Sequence, residues 1–214
     1  IHFKASEGIL YNVTMDTLLF CLAGKSDTAI LPLTVKHISD NAFGYCTKIK
    51  GVLLPESINS IGTLAFINCS DLRYFRIPDS VRIIKNGTFK HCMALLDVSI
   101  GNAVDSIEMN AFENCKKIST VTIPNSVTVI QPNAFLDCFG LQKLNIGNSI
   151  KNIGFYAFKN DSNLKTITIT SLIPPATHIN AFYKVRAQTP VFVPCGTQSS
   201  YTASQGWNTF TSIQ

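Results

Sequence analysis

One short sequence motif recurs through this chain at a fixed interval. Its phenylalanine stands at Phe43, Phe66, Phe89, Phe112, Phe135 and Phe158, and Phe182 follows one position later than this interval would place it. Alanine precedes six of these seven phenylalanines, and Thr88 replaces it once. A strict period of about 23 residues predicts a solenoid, in which each repeat forms one coil and buries its apolar face against the next coil.

The residues within one repeat predict the path of a coil. In residues 49–72, side chains alternate between two faces, with Val52 and Leu54 on the same side, as a strand requires. Pro55 then ends the strand. Ala65 and Cys69 are four residues apart, which places them on one face of a helical turn. Each coil is therefore predicted to contain a strand, a corner, a short extended piece and a helical turn.

Stacked coils bring their strands side by side as parallel neighbours about 4.8 Å apart. The repeat phase predicts eight such strands. They are centred near Ile30, Leu53, Arg76, Ser99, Thr122, Asn145, Thr168 and Phe192. The inward Val, Ile and Leu side chains then form continuous ladders, so the predicted core is a ribbon of repeated rungs.

The full repeat reads P-x-S-[VI]-x-x-I-x-x-x-A-F-x-x-C at residues 55–69, 78–92 and 124–138, with Thr88 replacing Ala in the second copy. This pattern resembles the BspA-like, or Treponema pallidum-type, leucine-rich-repeat family over roughly residues 28–194. The resemblance implies a leucine-rich-repeat solenoid of the α/β type that is mostly β. About eight parallel strands would line the concave face, with short helical turns and extended pieces on the convex side, and a cap at each end.

The predicted organisation is one leucine-rich-repeat domain, residues 1–214. Residues 1–27 resemble the family's N-terminal cap hairpin, residues 28–194 carry the repeats of about 23 residues, and residues 195–214 resemble its C-terminal cap. Trp207 is the single tryptophan. Together with Tyr201 and Phe210 it is interpreted as sealing the last coil, because a solenoid must cover its open end; the alternative is a ligand contact.

The cysteines repeat with the phenylalanines, one per coil. Five of the seven share one repeat position: Cys46, Cys69, Cys92, Cys115 and Cys138. A buried free cysteine packs as a small hydrophobic side chain, and parallel side-chain directions fit disulfide geometry poorly. Packing is therefore the preferred interpretation over disulfides. Cys21 and Cys195 lie in opposite caps, separated by roughly 34 Å of strand spacings, so they cannot pair.

No motif for chemistry is apparent in the sequence. The four histidines are scattered, no Gly-x-Ser-x-Gly elbow is present, and the 13 acidic residues are spread out. Zinc would need clustered Cys or His, so no metal and no cofactor are expected. A net charge of +5 without a basic block disfavours nucleic acid, and no apolar run is long enough for a transmembrane segment. The chain is predicted not to be an enzyme.

The outward positions of the strands predict where a ligand would bind. The second, third and fifth positions of the full coils hold five basic residues and one acidic residue, a local charge of +4. Tyr and Arg are enriched at binding hot spots. The candidate ligand-binding residues are Lys50, Leu53, Arg73, Tyr74, Arg76, Lys143 and Lys165. The alternative is a solvated face on which long side chains only cover the sheet.

Similarity to BspA-like proteins implies a non-enzymatic, cell-surface or secreted bacterial module that mediates adhesion. Its partner would be a protein or glycan ligand, such as host extracellular matrix, or another cell. Localisation would then be extracellular or on the cell surface, with any signal peptide already removed. Two alternatives remain open: a structural spacer of a larger surface protein, and binding of anionic glycans by the basic concave face.

Overall fold

The chain begins with a three-stranded antiparallel meander. A computed structural model describes residues 3–214, and its first strands are β1 (Phe3–Ser6), β2 (Ile9–Asn12) and β3 (Thr17–Cys21). β1 pairs with β2 and β2 with β3 in antiparallel fashion. β3 then pairs in parallel with the first short strand of the solenoid. The N-terminal segment therefore supplies both an end cover and the first rung of a ladder.

Eight parallel strands form the concave face, which confirms the predicted solenoid. They are β4 (Asp27–Ile30), β6 (Ile49–Leu53), β8 (Tyr74–Arg76), β10 (Asp97–Ser99), β12 (Thr120–Ile123), β14 (Lys143–Ile146), β16 (Thr166–Ile169) and β18 (Val191–Phe192). Their pairing is divided into two four-stranded sheets, β4 to β10 and β12 to β18. The backbone pairing is interrupted at this one junction, whereas the inward side chains on both sides of it belong to one hydrophobic core, as predicted. Val98 and Ile100 border it, and both are slightly less buried than the equivalent residues of the later coils.

A second ladder of two-residue strands runs along the convex side. Its members are β5 (His37–Ile38), β7 (Ser60–Ile61), β9 (Ile83–Ile84), β11 (Ser106–Ile107), β13 (Val129–Ile130), β15 (Asn152–Ile153) and β17 (Ala176–Thr177). These strands are the predicted short extended pieces. β5 and β7 continue the sheet of the N-terminal meander, and β9 to β17 form a separate sheet.

Tight turns replace the predicted helical turns around each Ala-Phe pair. We call these segments the turn row: residues 41–46, 64–69, 87–92, 110–115, 133–138, 156–161 and 180–185. Cys46 N–H donates to the Phe43 carbonyl three residues back, which is a turn bond and not an α-helical bond. Asn110 and Asn114 have φ values of 57° and 61°, a left-handed conformation that Asn tolerates well.

Hydrogen bonds between coils explain why the turn row is not helical. Within one turn, alternate N–H groups donate to the next coil: Phe112 to the Ala134 carbonyl at 2.7 Å and Asn114 to the Leu136 carbonyl at 2.8 Å. An α-helix would direct these donors along its own axis. The backbone polar groups of the turn row are thus satisfied by stacking, as they are in the two strand ladders.

A column of phenylalanine rings fills the centre of the solenoid. From Phe43 to Phe158 successive rings stack with centroids 4.9–5.5 Å apart, and Phe182 continues the column at 5.3 Å. The thiols form a parallel column. Cys69 Sγ donates to the Phe43 carbonyl at 3.0 Å, and the next three coils repeat this contact at 3.1–3.2 Å. All seven cysteines are free, so the packing interpretation holds, with a weak hydrogen bond added.

The C-terminal segment covers the open end of the Phe column. It contains the one α-helix of residues 3–214, α1 (Gln198–Ala203). Trp207 is completely buried with its ring centroid 5.3 Å from that of Phe182, and Tyr201 Oη donates to the Ser171 carbonyl at 2.8 Å. Trp207 is therefore a packing residue and not a ligand contact. Among residues 3–214, no helix is both long and apolar enough to cross a bilayer.

Candidate binding surface

All seven candidate residues project from the concave sheets into solvent. Strand alternation explains this within β8, where the side chains of Tyr74 and Arg76 point outward on either side of the buried Phe75, while Arg73 is exposed directly before that strand begins. The structure separates the candidates into two groups. Lys50, Leu53, Arg73, Tyr74 and Arg76 line one depression, which we call the N-terminal groove, while Lys143 and Lys165 line another, the C-terminal groove.

The N-terminal groove has a volume of about 590 Å³. Gly51 forms part of its floor, and Gly51 is the ladder neighbour of Tyr74. Because Gly51 has no side chain, the Tyr74 ring borders open space. Leu53 and Tyr74 are each 59% exposed, and Ile30, the ladder neighbour of Leu53, is 68% exposed. Large apolar side chains exposed together on a strand face are typical of a binding surface.

Carboxylates beside the N-terminal groove pair with two of its three cations. Lys50 Nζ lies 2.7 Å from Asp27 Oδ1, and Arg76 pairs with Glu56 and lies 4.0 Å from Asp79. The hydrogen bond and the charge of Lys50 lower the pKa of Asp27, and the bond to Glu56 raises the pKa of Arg76. The expected charge of +4 on the concave face is thus partly cancelled by acidic groups outside the predicted set.

Repeat spacing was the missed signal for the ion pair of Lys50 with Asp27. Asp27 precedes Lys50 by one period of the repeat, and residues one period apart are neighbours on adjacent coils. Of the three cations in the N-terminal groove, Arg73 alone has no ion pair in the part of the chain that the structure describes. Its guanidinium remains available to a ligand carboxylate.

The C-terminal groove, with a volume of about 630 Å³, is chemically different. Its lining is polar: Ser119, Thr120, Gln142, Lys143, Lys165, Thr166 and Thr168, with Phe192 at one end. Neither lysine belongs to an ion pair among the described residues. On the adjoining strands Asn145 Nδ2 donates to Thr122 Oγ1 at 3.1 Å, which fixes one polar pair. This half of the face offers hydroxyls, amides and unpaired positive charge.

The groups with the most perturbed pKa values lie in the core and not on the concave face. Burial raises the pKa values of Cys115, Cys138 and Asp161 well above their usual ranges. Among residues 3–214, no three His, Cys, Asp or Glu side chains are grouped in a way that would hold a metal ion. The concave face itself presents apolar, hydrogen-bonding and charged side chains.

The fold and this sheet surface define a leucine-rich-repeat protein. A scan of family models matches the BspA type leucine-rich repeat region, in six copies, at residues 14–141 and 82–195. The chain belongs to this family. No curated protein matches the chain.

Several solved bacterial structures share the fold. A leucine-rich repeat protein from Eubacterium ventriosum superposes with a TM-score of 0.75 at 22% identity, over 86% of this chain and 50% of that one. One from Bacteroides ovatus gives 0.68 at 24% identity, over 90% and 53%. The T. pallidum leucine-rich repeat protein gives 0.70 at 26% identity, over 78% and 86%. The chain thus spans about half the length of the first two relatives.

Proposed function

We propose that this chain is a non-enzymatic binding module of a cell-surface or secreted protein, and that it mediates adhesion through its concave face. The observation that carries the proposal is the N-terminal groove, where exposed Leu53 and Tyr74 flank the open floor at Gly51. Membership of the BspA-type family supports a repeat protein that binds other macromolecules. An extracellular or cell-surface location belongs to this same proposal.

A protein is the ligand that the N-terminal groove fits best. Lys50 and Arg76 are already paired with carboxylates, so a polyanion would gain little from them. Arg73 is free of ion pairs among the described residues and stands beside the exposed Tyr74 ring. A protein segment that presents an apolar side chain next to a carboxylate would fill the groove and pair with Arg73. Host matrix proteins and surface proteins of neighbouring cells are the partners we propose.

The test is a binding screen against matrix proteins, mucins and sulfated glycans, at low and at physiological salt. The groove variant is Arg73→Ala/Tyr74→Ala/Arg76→Ala. The control Tyr45→Ala/Arg82→Ala removes the same residue types from exposed sites that do not line either groove. We expect saturable protein binding that the groove variant loses by at least about tenfold and the control keeps. If the groove variant bound as tightly as the control variant, the groove would be excluded as the binding site.

Anionic glycans are a second candidate ligand, and the C-terminal groove favours them. Lys143 and Lys165 project there without carboxylate partners in residues 3–214, among hydroxyl and amide side chains. Binding that rests on such exposed charge should collapse at high salt, since ions screen it within about 10 Å at 0.1 M. Lys143→Ala/Lys165→Ala should abolish it. The absence of saturable binding to every probe would favour a structural spacer instead.

A further inference from the structure

A cluster of aromatic rings lies within and just before the turn-row segments of the sixth and seventh coils, away from both grooves. It contains Phe155, Tyr156, His178 and Tyr183, and we call it the aromatic cluster. Phe155 stacks on Tyr156 with ring centroids 3.6 Å apart, and His178 meets Phe155 edge to face at 4.9 Å. Tyr156 also contacts Tyr183 at 5.9 Å. The four rings therefore form a chain in the order His178, Phe155, Tyr156 and Tyr183, in which Tyr156 links Phe155 to Tyr183.

Tyr156 has a left-handed backbone conformation that Asn adopts more readily than Tyr does. Its φ is 57°, and the same left-handed position holds Asn in three other coils, at Asn41, Asn110 and Asn133. A bulky side chain in this conformation is strained, because its Cβ crowds the backbone. Leu64 is the other bulky exception. Observed strain of this kind is a reason to look for function, and Leu64 bears no ring cluster.

The aromatic cluster is accessible and borders a groove. Phe155 is 39% exposed and Tyr183 is 47% exposed. The groove beside Phe155 and His178 has a volume of about 380 Å³ and is also lined by Asn152 and by Gln205 of the C-terminal cap. This volume lies within the range of about 300–1,000 Å³ that is typical of small-ligand sites. Amide groups and exposed ring faces thus meet at one place.

Two lysine ammonium groups lie over the tyrosine rings at one end of the cluster. Lys159 Nζ lies 4.0 Å from the Tyr156 ring centroid and 5.7 Å from that of Tyr183, and Lys184 Nζ lies 5.9 Å from Tyr183. Neither lysine belongs to an ion pair within residues 3–214. The nearby Asp137 carboxylate is engaged by Asn160 Nδ2 at 2.6 Å. The ammonium groups therefore lack a carboxylate partner and rest on ring faces.

We propose that the aromatic cluster is a second binding site, and that its ligand is a sugar that bears a carboxylate. The C–H faces of a pyranose ring are apolar and suit the exposed faces of Phe155 and Tyr183. Sugar hydroxyls suit the amides of Asn152 and Gln205, and the carboxylate is complementary to Lys159 and Lys184. Neutral sugars would leave that charge unmatched. This site is separate from the concave face, so a result that refutes it leaves the proposed function untouched, and a result that refutes the proposed function leaves this site untouched.

Acidic sugars of two sources share this chemistry, and calorimetric titration distinguishes them. One arm uses sialyllactose with lactose as its uncharged control. The other uses tri-galacturonate with its methyl ester, which keeps the ring and removes the charge. We expect one acidic sugar of the two to bind saturably, and its uncharged control to bind at least about tenfold more weakly. Equal binding of the acidic and uncharged sugars would overturn the assignment of ligand class.

Repeat symmetry supplies variants that separate binding from folding. Tyr156→Asn introduces the residue of three other coils, so it should keep or raise the melting temperature while it removes the ring that links Phe155 to Tyr183. Tyr183→Leu introduces the residue that Leu136 contributes two coils back in the same column. Both should lose at least about tenfold in sugar affinity, whereas the control Tyr45→Ala/Arg82→Ala, whose sites line none of the three grooves, should lose none. Undiminished binding by Tyr156→Asn, or no binding of either acidic sugar to the unmodified protein, would refute the site.

Discussion

Replacing Asp161 tests the packing of the column that the cysteines form. Asp161 occupies the cysteine position of the sixth coil, next to Cys138, and is completely buried. Neither of its carboxyl oxygens has a hydrogen-bond partner, although the Cys138 amide lies close. The titratable groups that face it are Cys138 and Asp137 on the preceding coil, and the seventh coil places Val185 in the same column. Within residues 3–214, no cation forms an ion pair with the Asp161 carboxyl group.

Burial raises the pKa of Asp161 well above its usual range. The unfolded chain ionises this carboxyl near pH 4, whereas the folded chain retains the proton to a higher pH. The folded state therefore binds more protons, so the free energy of unfolding falls as pH rises, by up to about 1.4 kcal/mol per pH unit for one proton. The fall begins at the unfolded pKa and continues up to the folded pKa. Even the neutral form carries a cost of about 1–3 kcal/mol for unpartnered buried oxygens.

Two variants isolate these effects. Asp161→Asn cannot ionise, so it should lack the pH-dependent fall. Asp161→Cys also introduces a thiol that can donate to the Phe135 carbonyl, as Cys138 donates to Phe112 at 3.2 Å. Urea unfolding followed by circular dichroism from pH 4.5 to 7.5 gives each free energy of unfolding. We expect Asp161→Cys to have a higher free energy of unfolding than the unmodified chain. This difference should increase as pH rises. A constant difference between the unmodified chain and Asp161→Asn across this range would refute the argument.

Three further predictions concern the core, the coil spacing and the charge of the N-terminal groove. Phe112→Ala should lower the free energy of unfolding by about 3–5 kcal/mol, because it opens a cavity in the Phe column; a loss below about 1 kcal/mol in urea unfolding would contradict the stacking. Gly62→Ala should cost about 1–3 kcal/mol and lower the melting temperature, since its Cβ would collide with the Asp40 amide nitrogen on the preceding coil. Asp27→Asn frees Lys50 and should raise the affinity for anionic glycans at low salt; an unchanged titration would mean that the ion pair does not limit this surface.

The period of the sequence was sufficient to predict the features that repeat in every coil. Phe112 and Cys115 were placed in the core, and Leu53 and Tyr74 on the concave face, because one coil repeats the environment of the next. The prediction of helical turns was wrong for a physical reason. Ala65 and Cys69 have helical spacing, but the turn row satisfies its N–H groups across coils, and a sequence pattern within one coil does not reveal bonds between coils.

Features that differ from coil to coil were harder to predict. The ion pair of Lys50 with Asp27 becomes apparent only when residues one period apart are compared for opposite charge. The sequence analysis missed the aromatic cluster because Phe155 and Tyr156 occupy variable positions of the repeat motif. The residue type at these positions differs from coil to coil. The division of the concave strands between β10 and β12 has no signal that we can identify in the sequence.

Departures from the repeat, and not the repeat itself, carry the specific properties of this chain. Inward positions are constrained by the coils on both sides, so a change there alters stability, as at Asp161. Outward positions contact solvent and have few such constraints, so Tyr74 and Arg73 can be replaced without loss of the fold. Tyr156 combines the two cases: its backbone belongs to the hydrogen-bonded turn row, while its ring belongs to the surface. Tyr156→Asn removes the ring and introduces a residue that tolerates the same backbone conformation, which is why it discriminates best between packing and binding.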